Sequence, residues 1–293
     1  MHNHTWFLVF KTMRPRQWTK NLLVFAALIF SQNLTNLPMV SDATIAFIVF
    51  CFLSGSVYTL NDLLDIKQDR THPKKSQRPL ASGKLQPPIA IVSGSILVVL
   101  SLANAFWLNT NFGFIALGYF ILQIAYSTAL KHVVILDVLA VSIGFVLRAI
   151  AGAEVINVPI SSWLLVCTIL LALFLSLGKR RHEIILLEDN ATDHRKILFE
   201  YSPALLDQMI SVVTASTVVA YALYTMSAET INKFHTDNLK YTIPFVLYGI
   251  FRYLYLIHQK SEGGSPEKIL LNDRPLLINI ILYLLTVWFF TYA

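Results

Sequence analysis

The sequence predicts an all-α membrane protein: a bundle of nine transmembrane helices with its N-terminus in the cytoplasm and its C-terminus outside. Three observations carry this expectation. The 293 residues are 55% hydrophobic and 14% charged, with a mean hydropathy of +0.59, whereas a soluble domain runs near ~45–50% apolar and ~25% charged. Nine apolar stretches lie near the ~20 residues that cross a bilayer. Finally, 19 of the 23 Lys and Arg residues fall on one side of the resulting topology. So few charges cannot cover a water-facing surface. That excludes a soluble enzyme, a disordered chain and a nucleic-acid-binding module.

The stretches fall at 19–35, 43–61, 88–108, 111–130, 133–154, 160–178, 204–227, 241–258 and 275–292. Backbone polar groups in lipid must be satisfied internally, so these are helices. Several carry Gly, Ser or Thr inside, as bundled helices do where backbones approach. The ten-residue alternation of a membrane barrel is missing. Residues 1–18 do not read as a signal peptide, because basic residues follow the short apolar run where a cleavage site belongs. Trp6, Val9, Phe10 and Met13 fall at helical spacing with Lys11 and Arg14 off that stripe, the pattern of an interfacial helix.

With the N-terminus inside, the outer segments hold only Lys233 and Lys240, and Arg148 and Arg252 fall within spans. This is a strong positive-inside asymmetry. The two long polar segments, 62–87 and 179–203, follow the second and sixth spans and are both cytoplasmic motif loops on this topology. Their spacing hints at a four-helix repeat within a single membrane-embedded domain, 1–293. Cys51 and Cys167 lie in apolar runs and read as small buried hydrophobes.

Chemistry concentrates after the second span. Asn61, Asp62, Asp65 and Asp69 continue it, and offsets of three and seven put the carboxylates on one helix face. Three carboxylates repel unless a cation sits among them. Magnesium takes hard oxygens, one or two carboxylates plus substrate phosphates, so Asn61, Asp62, Asp65 and Asp69 are the candidate metal ligands. A solvated helix end is the alternative, but ionisable groups where an apolar span ends default to function. Lys67 and Arg70 follow, then a basic loop with Lys74, Lys75 and Arg78, suited to phosphate or to anionic headgroups.

The run NDLLDIKQDRTHPKKSQRPLASG resembles the first aspartate-rich motif of the UbiA superfamily of membrane prenyltransferases, in which NDxxDxxxD precedes a basic loop with an Arg-Pro element. The resemblance covers the whole chain. Tyr126 and Lys131 stand where that family carries a Tyr-Pro-x-x-Lys-Arg type element, from which this chain departs. Asp137 and Arg148 sit inside the next span, eleven residues apart, as site residues or as polar glue of the bundle. The family's second motif has aspartates at four-residue spacing. Asp189 and Asp193 match it formally, but Lys179, Arg180 and Glu183 occupy the end of the sixth span and are the favoured equivalent.

That departure, with MRPRQWTKN, LKHVVILDV, GFVLRAIAGA and GKRRHE, is similar to one branch, the decaprenyl-phosphate phosphoribosyltransferases. The resemblance implies a bacterial plasma-membrane enzyme with a cytoplasmic active site. It would transfer 5-phosphoribosyl from phosphoribosyl pyrophosphate to a polyprenyl phosphate on the route to lipid-linked arabinose, using magnesium and releasing diphosphate. Asp62, Asp65, Asp69 and Asp137 are then the catalytic candidates. Asn61, Lys67, Arg70, Arg78, Tyr126, Lys131, Lys179, Arg180 and Glu183 would bind substrate, with Arg148, Arg78 or Lys20 orienting the acceptor phosphate. The isoprenoid tail is expected in a lipid-open groove near Trp6, Phe25 and Phe30. Asp273, before Arg274 and Pro275, reads as a helix cap, a catalytic group or both. The alternatives are prenyl transfer to an aromatic ring and transport of anionic or lipid-linked solutes.

Overall fold

The computed structural model describes residues 2–71, 75–188, 200–260, 264 and 266–292, and every regular element among them is an α or 3-10 helix. In chain order they are α1 (His2–Thr12), a 3-10 helix (Pro15–Phe25), α2 (Ala26–Phe30), α3 (Leu37–Leu64), α4 (Ile66–Thr71), α5 (Pro87–Leu108), α6 (Thr110–Thr128), α7 (Leu136–Val155), α8 (Ser162–Glu188), α9 (Pro203–Met226), α10 (Ala228–Phe234), α11 (Ile243–Gln259), α12 (Pro266–Asn272) and α13 (Arg274–Tyr292), with further short 3-10 turns. Among the described residues seven helices are long and apolar enough to cross a membrane: α3, α5, α6, α7, α8, α9 and α13. The other two expected spans are shorter as α-helices. Residues 15–30 divide between the 3-10 helix and α2, and α11 has 17 residues.

The polar segments expected as loops are partly helical. α3 reaches Leu64 and α4 follows it, while α8 runs on to Glu188. The run after Gly178 holds neither Pro nor Gly until past Glu188, and its Lys, Arg and Glu are good helix formers.

Chain contacts divide the fold into two compact units: Met1–Lys131 with Gly144–Ile160, and His132–Ile143 with Ser161–Ala293. In the first, α3 packs against the 3-10 helix, α5 and α6. It starts at Asn36, whose side chain accepts the Met39 N–H, with Pro38 in the first turn, a normal start for a helix. Phe50 of α3 meets Phe112 and Tyr119 of α6, with ring centroids 6.1 and 5.1 Å apart. Lipid tails are as apolar as the side chains, so association rests on close packing at small residues. Gly152 is the tightest case, since a Cβ there would land on the Val24 carbonyl. Gly152→Ala must push the 3-10 helix away, and we expect it to cost about 2–3 kcal/mol, seen as a lower thermal midpoint in detergent.

The apolar stripe of α1 divides. Val9 and Met13 are buried, and Trp6 and Phe10 are exposed. Met13 lies on Gly55 of α3, where an added Cβ would come within 2.9 Å of the Met13 Cβ.

In the second unit α8 pairs with α9, and α11 packs on α9 and α13. Phe174, Leu177, Leu206, Ile210 and Ile257 form its core. Asp273 caps α13. It accepts the Leu276 N–H at 2.9 Å and a two-pronged bond from Arg252 at 3.1 and 2.7 Å. The Arg252 bond, helped by the Leu276 N–H, holds the Asp273 carboxyl below the usual range. A depressed carboxylate contributes stability above its unfolded value of about 3.9 and loses it as pH falls through the folded one. Asp273→Ala should therefore cost about 1–2 kcal/mol at neutral pH and flatten the acid limb of the stability profile in a pH-dependent melt.

Candidate active site

The acids after the second expected span are divided between two helices and do not form one face of one helix. α3 ends at Leu64, and Asp65 closes it with φ −96° and ψ 10° before α4 begins. Asp65 pairs with Lys131 and not with the two arginines. It is partly exposed and lies 3.8 Å from the Lys131 Nζ. Asp62 and Asp69 are both buried, 2% and 3% exposed. One nitrogen of Arg78 bridges them, 3.1 Å from Asp62 Oδ1 and 2.5 Å from Asp69 Oδ2. Arg14 also donates to Asp62 Oδ1, and its guanidinium stacks on Tyr58 at 4.9 Å. The cluster is therefore two carboxylates and two arginines, with the Asp65–Lys131 pair beside it. The three-carboxylate face is corrected accordingly. Among the described residues no three His, Cys, Asp or Glu side chains converge as a metal cage.

The residues nevertheless fit a magnesium ion that uses few protein ligands. A single cationic nitrogen already touches both buried carboxylates. Beside them the Asn61 Oδ1 is buried with no hydrogen-bond partner, and a buried orphan acceptor costs free energy until something donates to it or coordinates it. Two carboxylates and an amide oxygen, completed by substrate phosphate, match the way magnesium binds.

The other expected residues of the first unit have separate settings. Arg70 donates to the Ala81 carbonyl at 3.3 Å, which fixes the basic loop, and Lys67 is exposed. Lys20 and Tyr126 are half-buried in the same unit. Arg148 is 5% exposed and donates to Asn21 Oδ1 (2.8 Å), the Gly144 carbonyl (2.7 Å) and Tyr119 Oη (2.7 Å), lying over the Tyr119 ring at 4.7 Å. It pins the 3-10 helix to α6 and α7 through neutral partners. Asp189 and Asp193, the alternative second motif, lie outside the described residues.

The second unit holds the favoured group. Asp137, fully buried in the first turn of α7, accepts from Arg180 Nε and from Tyr201 Oη, each at 2.7 Å. Arg180 also donates to Glu183 at 2.5 Å, and the Lys179 Nζ is 3.9 Å from the same carboxylate. Arg181 forks onto Asp207 at 2.5 and 3.3 Å. Tyr201 accepts the N–H of Ile135 at 2.7 Å. Ile135 has φ 71°, a left-handed conformation unusual for a β-branched residue, so Tyr201 secures a strained turn into α7. Burial, then the bond to Asp137, pushes the Tyr201 phenol up to about 12. A raised phenol contributes stability below its unfolded value near 10 and loses it as pH rises through the folded one. Wild-type protein should thus lose stability between about pH 10 and 12, and Tyr201→Phe should show a smaller loss there and melt lower at neutral pH.

Sequence reasoning missed Arg14, Asn21, Tyr119, Tyr201 and the Arg181–Asp207 pair. Arg14 carried one local signal: it precedes Pro15, which disfavours the helical region for the residue before it. Here it takes φ 54°, turning the chain after α1 back toward α3.

Long apolar helices, two buried charge clusters built from arginine and carboxylate, and an orphan amide oxygen beside one of them are features that suit a membrane transferase. The UbiA prenyltransferase family model matches residues 22–272, and the chain belongs to that family. It is similar to decaprenyl-phosphate phosphoribosyltransferase of Mycolicibacterium smegmatis, 35% identical over 94% of this chain and 90% of that one. The enzyme of the same name from Corynebacterium glutamicum is 33% identical over 92% and 82%. In fold the chain is similar to a UbiA homolog from Archaeoglobus fulgidus solved with GPP and Mg2+, at a TM-score of 0.73 and 22% identity, covering 98% of this chain and all of that one.

Proposed function

We propose that this chain transfers the 5-phosphoribosyl group of phosphoribosyl pyrophosphate to a polyprenyl phosphate, decaprenyl phosphate or a close relative, and releases diphosphate. The near-full-length likeness to the two curated phosphoribosyltransferases carries the reading. The Lys179–Arg180–Glu183 group at the end of the sixth expected span supports it over prenyl transfer to an aromatic ring, which calls for a second acidic motif there. The acids gathered at helix ends support it over transport, whose ionisable sites lie at the midplane.

In the reaction an oxygen of the acceptor phosphate bonds to the anomeric carbon as the carbon–oxygen bond to diphosphate breaks, and that electron pair leaves on diphosphate. Asp62 and Asp69, with Asn61 and, after a rearrangement at the helix break, Asp65, would hold magnesium. When bound it neutralises charge growing on the leaving group. Arg14 and Arg78 stand at the same carboxylates and are placed to donate to phosphate oxygens, with Lys67, Arg70 and Lys131 as further donors. Lys179, Arg180 and Tyr126 are assigned to the pentose and its 5-phosphate, Glu183 to its hydroxyls. Asp137, both of whose oxygens are committed, acts as a positioning residue through Arg180. Arg148 and Lys20 are assigned to the acceptor side. The acceptor is anionic at neutral pH, so it needs no general base.

We further read the chain as one domain of nine crossings in the bacterial plasma membrane, N-terminus and active site in the cytoplasm, C-terminus outside. The family match runs through both units. The first short segment is also long enough. At ~2.0 Å per residue for 3-10 turns and ~1.5 Å for α turns, residues 15–30 extend up to about 30 Å, the thickness of the hydrocarbon core. The test is to incubate membranes with labelled phosphoribosyl pyrophosphate, magnesium and decaprenyl phosphate. Label is expected in the organic phase. Label that stays aqueous, with prenyl transfer to hydroxybenzoate instead, overturns the reading.

A further inference from the structure

Oδ1 of Asp62 accepts from two guanidinium groups, those of Arg14 and Arg78. A carboxylate oxygen offers two lone-pair sites, so both are taken, and one donor must leave before this oxygen can coordinate a metal ion. The two arginines are not equally held. Arg78 has a second carboxylate, Asp69, at 2.5 Å, and stands in the loop that Arg70 fixes through the Ala81 carbonyl. Among the described residues the Arg14 side chain meets one carboxylate, and its other polar or ring contact is the face of Tyr58, with the guanidinium carbon 4.9 Å from the ring centroid. Arg14 is therefore the cation that changes partner when the acids take up a charged ligand, and Tyr58 is what still holds it.

Two further features make the ring a built support. Tyr58 lies four residues before Asp62 on α3, so ring and carboxylate share a helix face. Arg14 takes φ 54° and ψ 64°, a left-handed backbone at a residue other than glycine. Such a conformation costs free energy and persists only where the surroundings fix it. Here it brings the side chain onto both Tyr58 and Asp62. The Arg14 side chain is 30% exposed. Once released from Asp62 it would go over to water, were it not for the attraction of a cation to the negative face of the ring.

We infer that Tyr58 is a positioning residue for the donor substrate: it holds Arg14 beside the acid cluster while magnesium and diphosphate engage Asp62, so that the guanidinium is at hand to donate to a diphosphate oxygen. Tyr58 acts through Arg14, and with its ring rather than its hydroxyl. The inference rests on the proposed reaction and adds to it a residue that the motifs do not mark.

The test is a mutant cycle on the full-length protein with two readouts: KM for phosphoribosyl pyrophosphate, and the dissociation constant of magnesium diphosphate by isothermal titration, which needs no turnover. Tyr58→Leu should raise both about tenfold, within the range of a partly desolvated cation–π contact, and leave the decaprenyl phosphate KM within about twofold. Tyr58→Phe keeps the ring and should stay within about threefold of wild type. On an Arg14→Gln background, Tyr58→Leu should change either readout by no more than about twofold, because the ring then has no cation to hold. Three results each overturn the inference: equal losses in Tyr58→Phe and Tyr58→Leu, the full loss from Tyr58→Leu on the Arg14→Gln background, or a fall in kcat with both readouts unchanged. Trifluorophenylalanine at position 58 keeps the size of the ring and withdraws charge from its face, so it decides the matter even if Tyr58→Leu fails to fold. It should raise both readouts severalfold above those of Tyr58→Phe, and no change overturns the inference. Wild-type protein that binds magnesium diphosphate but makes no product overturns the proposed reaction instead, and the binding ratios still decide the role of Tyr58.

Discussion

Asp62→Asn is expected to lower magnesium-dependent turnover on the order of a thousandfold while the protein remains folded. Asp62 is the residue on which the first cluster converges, since both Arg14 and Arg78 donate to its Oδ1. Asparagine keeps the shape and one acceptor but removes the charge. The arginines keep other partners, Tyr58 for Arg14 and Asp69 for Arg78, so the stability cost should stay near the ~1–3 kcal/mol of a weakened buried hydrogen bond. Manganese binding in the presence of diphosphate, read by electron paramagnetic resonance, should weaken in parallel. Asp65→Asn provides the internal comparison. Asp65 is partly exposed and pairs with Lys131 at 3.8 Å rather than with the two arginines, so its loss should cost about tenfold or less. Full turnover in Asp62→Asn, or a larger effect at Asp65 than at Asp62, would refute the ranking and with it the metal role of the buried pair.

The ranking also shows what the sequence could carry. Asp62 and Asp69 were legible because charge is scarce in this chain, and an acid that continues an apolar span has few bland explanations. The departure of Asp65 was not legible. Leu63, Leu64 and Ile66 prolong the helical pattern through the break, and no Gly or Pro marks it. Arg14 was counted as a topological charge because its meaning is non-local. Its left-handed turn returns it to an acid 48 positions later. Tyr201 sat in a polar segment whose pattern gives no register, yet it closes on Asp137 and on the strained Ile135. Residues 19–35 were apolar enough to read as a span, but hydropathy does not distinguish a 3-10 helix from an α-helix. What one helix face or one apolar run encodes was readable. What depends on two distant segments meeting was not.

That distinction governs the second large effect, at Arg180. Arg180→Met is expected to destabilise the protein by about 3–5 kcal/mol, because it leaves a buried carboxylate with too little compensation. Asp137 is fully buried, and Arg180 is its only ion-pair partner among the described residues, with Tyr201 supplying one further bond. Removing both charges is a different operation. In Asp137→Leu/Arg180→Met an apolar pair takes the place of the ion pair, and such replacements are often neutral or stabilising. The double variant should therefore melt close to wild type even though each single variant does not. Its activity then separates two roles. If Arg180 also reaches the 5-phosphate of the donor, as proposed, the stable double variant should show a KM for phosphoribosyl pyrophosphate raised on the order of a hundredfold, the loss of a charge-assisted hydrogen bond or two, with KM for the acceptor unchanged. If the pair only braces α7 against α8, the recovered fold brings back wild-type KM values for both substrates, and the assignment of Arg180 to the donor is lost. Tyr201→Phe, which removes a support of Asp137 but no charge, should lower the melt and leave the donor KM alone.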